Sequence, residues 1–411
     1  MGKWVKDRLD SLSDIVAGGT PSTNVDAYWD GEIPFVTPYD LSKCAGVWID
    51  KTARYITKAG LKNSAANLLP PQSIVISTRA PIGYIALTLE PSVSNQGCKS
   101  VVLKEGQDKV FHCYNLSAYV GEMKRLGVGT TFSEISKADL SRIKVCHPVS
   151  LVEQRHIAEI LTTCDEVIEK SGAVVEKYRA IKAGMLKDLL TRGIGNNGKL
   201  RPPPESAPQL YKDTALGKVP REWEEKTIAE IGDVVTGSTP SRSDSANWGG
   251  DFNWISAQDF KDKYIYNAAE KVSDKGKRAC HLLPLNSVLV TCIASIGLNA
   301  IAKVECATNQ QINAVICEGC DYEYFYYLIC FSDGKLKQLA GQTAVPIISK
   351  TDFQQLLMAY PSDFAEQQRI AERLSAIDAK IADELAVVAK YRKVKAGLMA
   401  RLLTPPDMEV E

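Results

Sequence analysis

The sequence has no excess of charge of either sign, because 49 Lys and Arg residues balance 49 Asp and Glu residues. The net charge therefore does not indicate a nucleic-acid partner, and binding of nucleic acid would require local basic patches on the surface. No run of 18 apolar residues occurs, so no membrane-spanning helix is expected. The first residues, MGKWVKDRLD, lack the apolar core of a signal peptide. We therefore expect a cytoplasmic protein without a membrane partner.

The sequence also lacks the cysteine spacing of a disulfide framework or a zinc site. Its 11 cysteines are an odd number and are scattered. Without a secretion signal they are expected to be reduced thiols. One Cys-x-x-Cys occurs, at Cys317 and Cys320, but no second pair and no His-x3-His follows it. Zinc needs four ligands, so no metal site is predicted.

Signatures of catalysis are missing as well. The stretch GGTPSTNV lacks the Gly-Lys-Ser/Thr of a phosphate-binding loop, and no Gly-x-Ser-x-Gly occurs. The Asn-Pro-Pro-Tyr/Phe that an adenine-N6 methyltransferase uses to hold a flipped base is absent. Four histidines form no triad or metal-binding pattern. We predict no catalytic residue and no cofactor bound by this chain.

What the sequence does contain is a repeat of itself. GGTPS at 18–22 returns as GSTPS at 237–241, and each is followed by a Trp-x-Gly, at Trp29 and Trp248. The offset of 219 residues falls to 213 further along, which indicates small deletions in loops. The best match comes last, where VEQRHIAEIL at 152–161 meets AEQQRIAERL at 365–374. The chain is therefore two tandem copies of one unit, and two domains related by a pseudo-twofold axis are expected.

Composition divides each copy into a mixed part and a helical part. Frequent Pro and Gly, with short β-branched runs at 74–77 and 288–291, predict β-rich mixed globular domains. A segment with three consecutive prolines at 202–204 is typical of a semi-extended linker. The predicted fold class is α+β, and the predicted segments run in the following order: a domain at 1–148, a long helix at 149–192, a linker at 193–219, a domain at 220–360 and a second long helix at 361–404.

The two helical segments carry heptad seams of apolar residues. The first seam consists of Ile157, Leu161, Cys164, Ile168, Val175, Tyr178, Met185 and Leu189. The second consists of Ile370, Leu374, Ile377, Ile381, Val388, Tyr391, Leu398 and Leu402. Both are interrupted at the same two places, by Ser171 and Lys182 and by Glu384 and Lys395. At about 1.5 Å per residue each helix is about 60 Å long, and the two are predicted to pair as an antiparallel coiled coil.

Basic residues cluster at corresponding places in the two copies. Lys51, Arg54, Lys58 and Lys62 have no acidic residue between them, and 271–278 is the counterpart. Aromatic residues such as Tyr55 lie among them. Such a patch suits phosphate contacts, although a solvated helix face explains it equally simply. Two DNA-binding domains held apart by a pair of long helices would match two DNA half-sites separated by a spacer.

Four repeated features indicate a protein family. They are the twin Gly-x-Thr-Pro-Ser loops, the Ile-Ser-Lys-x-Asp segments at 135–139 and 348–352, the Glu-Gln-x-x-Ile-Ala helix starts and the Lys-Tyr-Arg helix ends. The chain resembles the specificity subunit of type I restriction–modification systems along nearly its whole length. The resemblance implies two target recognition domains that read a bipartite, asymmetric double-stranded DNA target with a fixed spacer. It also implies docking of two adenine-N6 methyltransferase subunits, which bind S-adenosylmethionine, and of restriction subunits, which use ATP and Mg.

The residues predicted to contact DNA are polar or basic side chains of the loops. In the first domain they are Thr20, Ser22, Asn24, Lys43, Arg54, Lys58, Arg79, Thr130 and Thr131. In the second they are Thr239, Ser241, Arg242, Gln258, Lys261, Lys275, Arg278, Gln342 and Thr343. The residues predicted to dock the methyltransferase are Glu153, Gln154, Glu366 and Gln367, for which a helix cap is the alternative. The Thr-Pro pairs also fit a turn needed for folding, and Trp29 and Trp248 are expected in the core.

Two other classes of function stay open at this point. One is a catalytic single-chain nuclease or modification enzyme, against which the missing motifs argue. The other is a scaffold that binds proteins through its twin domains and ignores DNA sequence.

Overall fold

The computed structural model describes residues 2–44, 46–127, 134–341 and 345–405. Two compact units share the chain, and both long helices pass from one to the other. Unit 1 comprises Met1–Val175 and Asp383–Glu411, and unit 2 comprises Glu176–Ala382. Each unit therefore holds one mixed domain, the first part of the helix that follows it, and the last part of the other long helix.

The domain of unit 1 is built from short strands and helices. Its strands are β1 (Trp4–Arg8), β2 (Ser13–Ala17), β3 (Trp29–Val36), β4 (Trp48–Ile49), β5 (Arg54–Ile56), β6 (Ile74–Ser77), β7 (Ile85–Thr88), β8 (Val93–Ser94), β9 (Cys98–Leu103) and β10 (Lys144–Pro148). Its helices are α1 (Leu9–Leu12), α2 (Pro38–Lys43), α3 (Lys58–Lys62), α4 (Lys109–Ala118), α5 (Val120–Leu126) and α6 (Lys137–Arg142), and the long α7 (Leu151–Thr191) follows.

Three sheets organise this domain. The largest has the strand order β2-β9-β6-β7-β4, a smaller one has the order β5-β3-β8, and β1 pairs with β10. The central strand β6, Ile-Val-Ile-Ser, is buried along its whole length, as its β-branched composition predicts. Antiparallel pairing of β1 with β10 joins Trp4 to Pro148, so the domain closes where the long helix begins.

Unit 2 repeats this plan. After β11 (Tyr211–Thr214) and β12 (Gly217–Pro220), its strands are β13 (Trp223–Thr227), β14 (Gly232–Thr236), β15 (Trp248–Ile255), β16 (Tyr264–Ile265), β17 (Glu270–Val272), β18 (Val288–Thr291), β19 (Asn299–Ala302), β20 (Cys306–Thr308), β21 (Ile312–Cys317) and β22 (Leu357–Pro361). Its helices are α8 (Ile228–Ile231), α9 (Asp274–Arg278), α10 (Tyr322–Phe331), α11 (Asp333–Leu339) and α12 (Lys350–Gln354), followed by the long α13 (Phe364–Leu402).

The sheets of unit 2 have the same connectivity as those of unit 1. Their orders are β14-β21-β18-β19-β16, β17-β15-β20 and β13-β22. Position by position these are the strands that the sequence alignment places at offsets of 219 to 213. The predicted repeat and the mixed α+β architecture are therefore confirmed.

The long helices are antiparallel, and two contacts define their direction. Within unit 1, Asp165 of α7 meets Lys395 of α13, and within unit 2, Lys182 of α7 meets Asp378 of α13. From the first contact to the second the chain advances along α7 and goes back along α13. The predicted antiparallel pair is confirmed, with helices of 41 and 39 residues.

Each domain core is completed by the end of the other copy's helix. In unit 1, Leu403 belongs to the core that also contains Phe111 and Ile157, and Leu398, Met399 and Leu402 pack against it. In unit 2, Leu189 and Leu190 belong to the core that contains Trp223 and Ile370. Burial of such Leu side chains contributes about 1.5–3 kcal/mol each. The seam residues near the helix ends thus serve the domain core as well as the helix pair.

The segment 193–219, predicted to be a semi-extended linker, instead folds onto unit 2. Its strands β11 and β12 form an antiparallel hairpin, and Ile194 and Tyr211 are buried. The physical reason is Arg201, whose guanidinium lies in a buried ion pair with Glu366 at 2.5 Å and so ties the segment to the start of α13. Local composition does not reveal this long-range partner.

No helix in the described ranges is both long enough and apolar enough to cross a membrane. All eleven cysteines are free thiols. Burial raises the pKa of Cys98 and Cys306 to about 12, so these two behave as apolar core residues rather than thiolates.

Candidate nucleic-acid interface

The Thr-Pro loop of unit 1, residues 18–24, is held against the 94–97 turn by its backbone. A Cβ atom at Gly18 would lie 1.8 Å from the carbonyl oxygen of Asn95, which leaves room only for glycine. The next side chain, Thr20, donates its hydroxyl to the amide oxygen of Gln96. Pro21 is buried and Ser22 is exposed. The loop is therefore held in one conformation, and it exposes its residues from Ser22 onward to solvent.

Trp29 anchors the far side of this loop. Its indole NH donates to the carbonyl of Ser22 at 3.0 Å, and its ring is 6% exposed, as expected for a core residue. The guanidinium of Arg54, from β5, lies 3.4 Å from the ring centroid. Arg54 is exposed, and no ion pair of its side chain occurs in the described part of the chain. Stacking limits the rotamers of this cation while its hydrogen-bond donors remain available.

Short helices bring further cations to the same side. Thr57 caps α3, and Gly60 packs on Tyr28 at the end of the loop, so Lys58 is presented beside it. The Asn95 amide donates to Val36, directly before α2, at whose end Lys43 lies 5.5 Å from the ring of Tyr39. Loop, α2 and α3 thus form one connected surface.

Arg79 belongs to this surface but has a carboxylate partner. Its backbone NH donates to Gly97, and its Nε donates to Glu134 at 2.8 Å. Lys99 also donates to Glu134, at 3.1 Å. Partial burial opposes ionisation of Glu134, but these two hydrogen bonds lower the pKa of its carboxyl below the ordinary value. Arg79 is therefore oriented before any ligand arrives.

Unit 2 builds the same scaffold with the equivalent residues. A Cβ at Gly237 would lie 2.1 Å from the carbonyl oxygen of Asn309, and Thr239 donates to Gln310. The indole of Trp248 donates to the carbonyl of Ser241 at 3.2 Å. Trp248 is half-buried rather than in the core, which corrects the prediction. The fully buried neighbour is Trp254, which packs edge-on against it.

The arginine over the tryptophan comes from a different place in unit 2. Arg242, on the loop itself, lies 3.8 Å from the ring centroid of Trp248. It also pairs with Glu270 at 2.6 Å, and Glu270 begins β17 as Arg54 begins β5. Lys275 pairs with Asp244 at 2.6 Å. Among the described residues, Arg242 and Lys275 of copy 2 therefore have carboxylate partners, whereas Arg54 of copy 1 has none.

The remaining predicted DNA contacts are exposed or undescribed. Asn24, Gln258, Lys261 and Arg278 are exposed. Four of the predicted contacts lie outside the described residues: Thr130, Thr131, Gln342 and Thr343. The sequence-based list omits Gln96 and Gln310, which bond the two threonines. The repeated Asn-Gln at 95–96 and 309–310 is the signal that could have revealed them.

The residues predicted to dock the methyltransferase lie at the helix starts, and three of them are buried. Gln154 is fully buried, accepts from the amide of Asp108 at 2.8 Å and donates to Pro148. Gln367 repeats this joint with Asp321 and Pro361.

Glu366 is buried as well, with Arg201 and the indole of Trp223 as partners. Only Glu153 is partly exposed, and it accepts from the amide of Gly2 at 2.9 Å. Buried side chains cannot contact a second protein, so Gln154, Glu366 and Gln367 act as structural joints between domain and helix.

No group of three or more His, Cys, Asp or Glu residues that could hold a metal ion occurs within the described ranges. The Cys-x-x-Cys begins at the last residue of β21, where Cys317 is half-buried, and Cys320 beyond the strand is buried. A hydrogen bond with Cys320, together with burial, raises the pKa of the Cys317 thiol well above its ordinary value. A thiol in this state is a poor metal ligand, because metals bind the thiolate.

Comparison with known sequences gives a consistent result. The profile of the family described as "Type I restriction modification DNA specificity domain" matches residues 1–176 and 220–386. The MjaVIII specificity subunit of Methanocaldococcus jannaschii is 22% identical over 98% of this chain and 92% of its own length. The MjaIX specificity subunit of the same organism is 27% identical over 57% of this chain. That match spans about half, 53%, of the MjaIX subunit.

Solved structures share the fold. The type I restriction–modification S subunit from M. genitalium superposes with a TM-score of 0.62 over 99% of this chain and 97% of its own, at 17% identity. A chain from a structure on complex assembly and conformational transition of the type I R-M system gives 0.52 at 16% identity, over 98% of both chains.

Proposed function

Since the chain belongs to the type I restriction modification DNA specificity family, we propose that it reads a bipartite, asymmetric double-stranded DNA target with a fixed spacer, one half-site for each domain. The observation that carries the proposal is the twin loop scaffold. Both units build the same glycine turn, the same Thr–Gln bond and the same stacked Arg–Trp pair, yet they present different side chains from it.

The chemistry of the two surfaces suits double-stranded DNA. Arginine can contact a guanine edge with two donors, and lysine contacts phosphate as a point charge. Copy 1 offers Arg54 and Lys58, whereas in copy 2 Arg242 pairs with Glu270. A carboxylate beside an arginine penalises nearby phosphate and accepts from a cytosine amino group. Two unlike half-sites follow from this difference.

The chain acts without chemistry of its own and docks two adenine-N6 methyltransferase subunits, with restriction subunits joining them. S-adenosylmethionine is bound by the methyltransferases, and ATP and Mg by the restriction subunits. The buried joints at the helix starts leave exposed apolar side chains beside them, namely Val149 and Val152 in unit 1 and Phe364 in unit 2. Such residues are the anchors that a protein interface needs, so we assign the docking of one methyltransferase to each helix start.

The test is a methylome. The chain is co-expressed with its candidate methyltransferase partner in a host that lacks adenine methylation, and N6-methyladenine is mapped. The expected result is one split motif with two unlike halves around a fixed gap. Methylation at a continuous motif, or none while the two proteins co-purify, contradicts the proposal.

The same proteins, once purified, also test the two other classes of function. A catalytic single-chain enzyme would turn over DNA with S-adenosylmethionine or Mg in the absence of any partner. A protein scaffold would co-purify with partners at equal yield whether or not the DNA carries the mapped motif.

A further inference from the structure

The polar interruptions of the two heptad seams have partners that the apolar pattern does not explain. Lys182 and Lys395 occupy equivalent positions, 213 residues apart, and each side chain is directed inward at a half-buried site. An ordinary coiled-coil seam places apolar residues there, because a buried lysine loses its hydration. Their retention in both copies requires a physical reason.

In unit 1 the reason is a three-residue network. The ammonium of Lys395 donates to Oδ1 of Asp165 at 2.5 Å, and the hydroxyl of Tyr114 donates to Oδ2 of the same carboxylate at 2.6 Å. The ammonium also lies 4.9 Å from the centre of the Tyr114 ring. Asp165 is 9% exposed, so its charge is compensated by these partners rather than by solvent. The network joins α13, α7 and the domain helix α4.

Unit 2 contains the equivalent network. Lys182 contacts Oδ1 of Asp378 at 2.6 Å, and Tyr327 of α10 donates to Oδ2 at 2.7 Å. Burial raises the pKa of both Tyr114 and Tyr327 above the ordinary value, which keeps each phenol a neutral donor. The two networks therefore share the Tyr–Asp–Lys arrangement with the roles of the helices exchanged, and unit 2 adds Lys263, whose ammonium donates to the Tyr327 hydroxyl at 2.9 Å.

The two networks demand one and the same alignment of the helices. From Asp165 to Lys182 is 17 residues along α7 (182 minus 165), and from Lys395 back to Asp378 is 17 along α13 (395 minus 378). An apolar seam alone repeats every seven residues and permits slippage by a heptad. A slip by seven would take Asp165 away from Lys395 and face that lysine with Ala158 or Gly172 instead. The same slip would also break the contact between Lys182 and Asp378.

We propose that the two Tyr–Asp–Lys networks set the register of the long helices and thereby select the spacer length of the DNA target, with Lys182 and Lys395 as the positioning residues. The inference rests on the proposed reading of a split target. A polar residue in a seam that specifies register is a well-founded physical device, because every other register leaves a charge buried without its partner. The tyrosines connect each domain to the ion pair of its unit, because Tyr114 of α4 donates to Asp165 and Tyr327 of α10 donates to Asp378.

The experiment measures spacer discrimination in the complex of this chain with its methyltransferase. Once the wild-type motif is mapped, DNA duplexes carry its two halves with the native spacer or with about three base pairs more or fewer, the change that matches a slip of one heptad, about 10 Å. In the double variant Lys182→Met/Lys395→Met, the ratio of methylation rates on native and altered spacers is expected to fall about tenfold. Met preserves helix propensity and apolar volume, so the helices still pair.

A matched control is the double variant Lys177→Met/Lys390→Met. These lysines are also equivalent in the two copies but are exposed. They should leave the ratio unchanged. The charge-exchanged variant Asp165→Lys/Lys395→Asp with Lys182→Asp/Asp378→Lys keeps both ion pairs and should recover most of the discrimination, which a simple packing role of the lysines would not produce.

The outcomes separate the two proposals. Absence of a split motif with the wild-type chain overturns the proposed function. A split wild-type motif with an unchanged ratio in the folded, methylating double Met variant overturns the register inference alone. If the double Met variant does not fold, the quadruple variant Asp165→Asn/Lys182→Met/Asp378→Asn/Lys395→Met, which leaves none of these four positions charged, is measured in the same way, and an unchanged ratio overturns the inference.

Discussion

At the scale of single residues, the main difference between the two copies is the origin of the arginine that stacks on tryptophan. Arg54 occupies the first position of β5, and the equivalent position of β17 holds Glu270, with the arginine moved to the loop as Arg242. Among the residues that the structure describes, Arg242 therefore has a carboxylate partner and Arg54 has none. If both cations contact DNA as proposed, we expect their contributions to binding to be unequal.

Arg54→Ala is expected to weaken binding of the DNA target by about 1–3 kcal/mol, because the proposed function assigns its guanidinium to a base contact that the variant would lose. Arg242→Ala should cost less, because Glu270 already offsets its charge. Fluorescence anisotropy of the methyltransferase complex on its mapped target, at one fixed salt concentration, measures both. The exposed helix residue Arg179 supplies the control as Arg179→Ala, and a larger effect of Arg242→Ala than of Arg54→Ala would contradict the assignment.

His112 shows the same divergence in the core. It is fully buried on α4, and its counterpart on α10 is Phe325. Burial, with a smaller effect of His147, lowers the pKa of His112 to about 3. The unfolded chain takes up a proton near the ordinary value of 6.5 and the folded chain does not, so stability falls as pH falls from 6.5 towards 3.

His112→Phe should remove this acid sensitivity. At about pH 5 the wild type is expected to have lost about 2 kcal/mol relative to about pH 7.5 through this residue. Urea denaturation at both pH values measures the difference, with the variant expected to lose correspondingly less. Equal losses in the two proteins would show that His112 takes up its proton in the folded state.

At the scale of elements, the long helices begin in joints that differ between the copies. Glu366 accepts from the amide of Ile194, from Arg201 and from the indole of Trp223, all inside unit 2. Among the described residues, the side chain of its counterpart Glu153 accepts a hydrogen bond from the amide of Gly2 near the surface. One sequence motif thus supports a buried ion pair in one copy and a peripheral contact in the other.

Glu366→Gln should destabilise the protein by about 3 kcal/mol, because Arg201 is left buried without its main carboxylate. The matched variant Glu153→Gln should change stability by no more than about 0.5 kcal/mol. Urea denaturation followed by tryptophan fluorescence gives both values, and Trp223 reports on the joint directly. Equal effects of the two variants would refute the structural distinction.

The exposed apolar residues beside these joints lead to a prediction about partners. Val152 is 76% exposed on the first turn of α7. Val152→Asp should reduce co-purification of the methyltransferase at least tenfold, since a charge would be buried in the interface. Leu210→Asp, at an exposed apolar position of the 193–219 segment, is the control and should leave the yield unchanged.

The elements themselves were predictable from the sequence, and the joints between them were not. Strands 74–77 and 288–291 and both long helices follow from β-branched runs and heptad spacing, which are local patterns. Gln154, Glu366 and Gln367 were predicted as partner contacts because they stand at polar helix starts. Their burial results from loops and strands that lie far away in sequence, which spacing does not report. The Arg–Trp stacking is likewise invisible, since its arginine changes position between the copies.

At the scale of the whole molecule, the proposed function makes the spacer depend on the length of the paired helices. Insertion of seven residues into both helices, after Val175 and after Ala382, adds about 10 Å, which corresponds to about three base pairs. The methylome of this variant should show both half-sites unchanged and the spacer longer by that amount. Insertion into one helix alone breaks the register of the two Tyr–Asp–Lys networks and should abolish methylation. An unchanged spacer after the double insertion would refute the helices as a ruler.

The exchange of helix ends between the cores also has a consequence in time. The core of unit 1 combines Leu9 with Leu403, which lies 394 residues later in the chain (403 minus 9). Contacts between such distant parts of a chain form slowly and only after both parts exist. The first domain therefore leaves the ribosome with an apolar face uncovered and waits for the final turn of α13. The core of unit 1 is therefore completed only after the second domain and α13 have been synthesised, and the nascent chain is expected to depend on chaperones for longer than that of a protein whose domains close one after another.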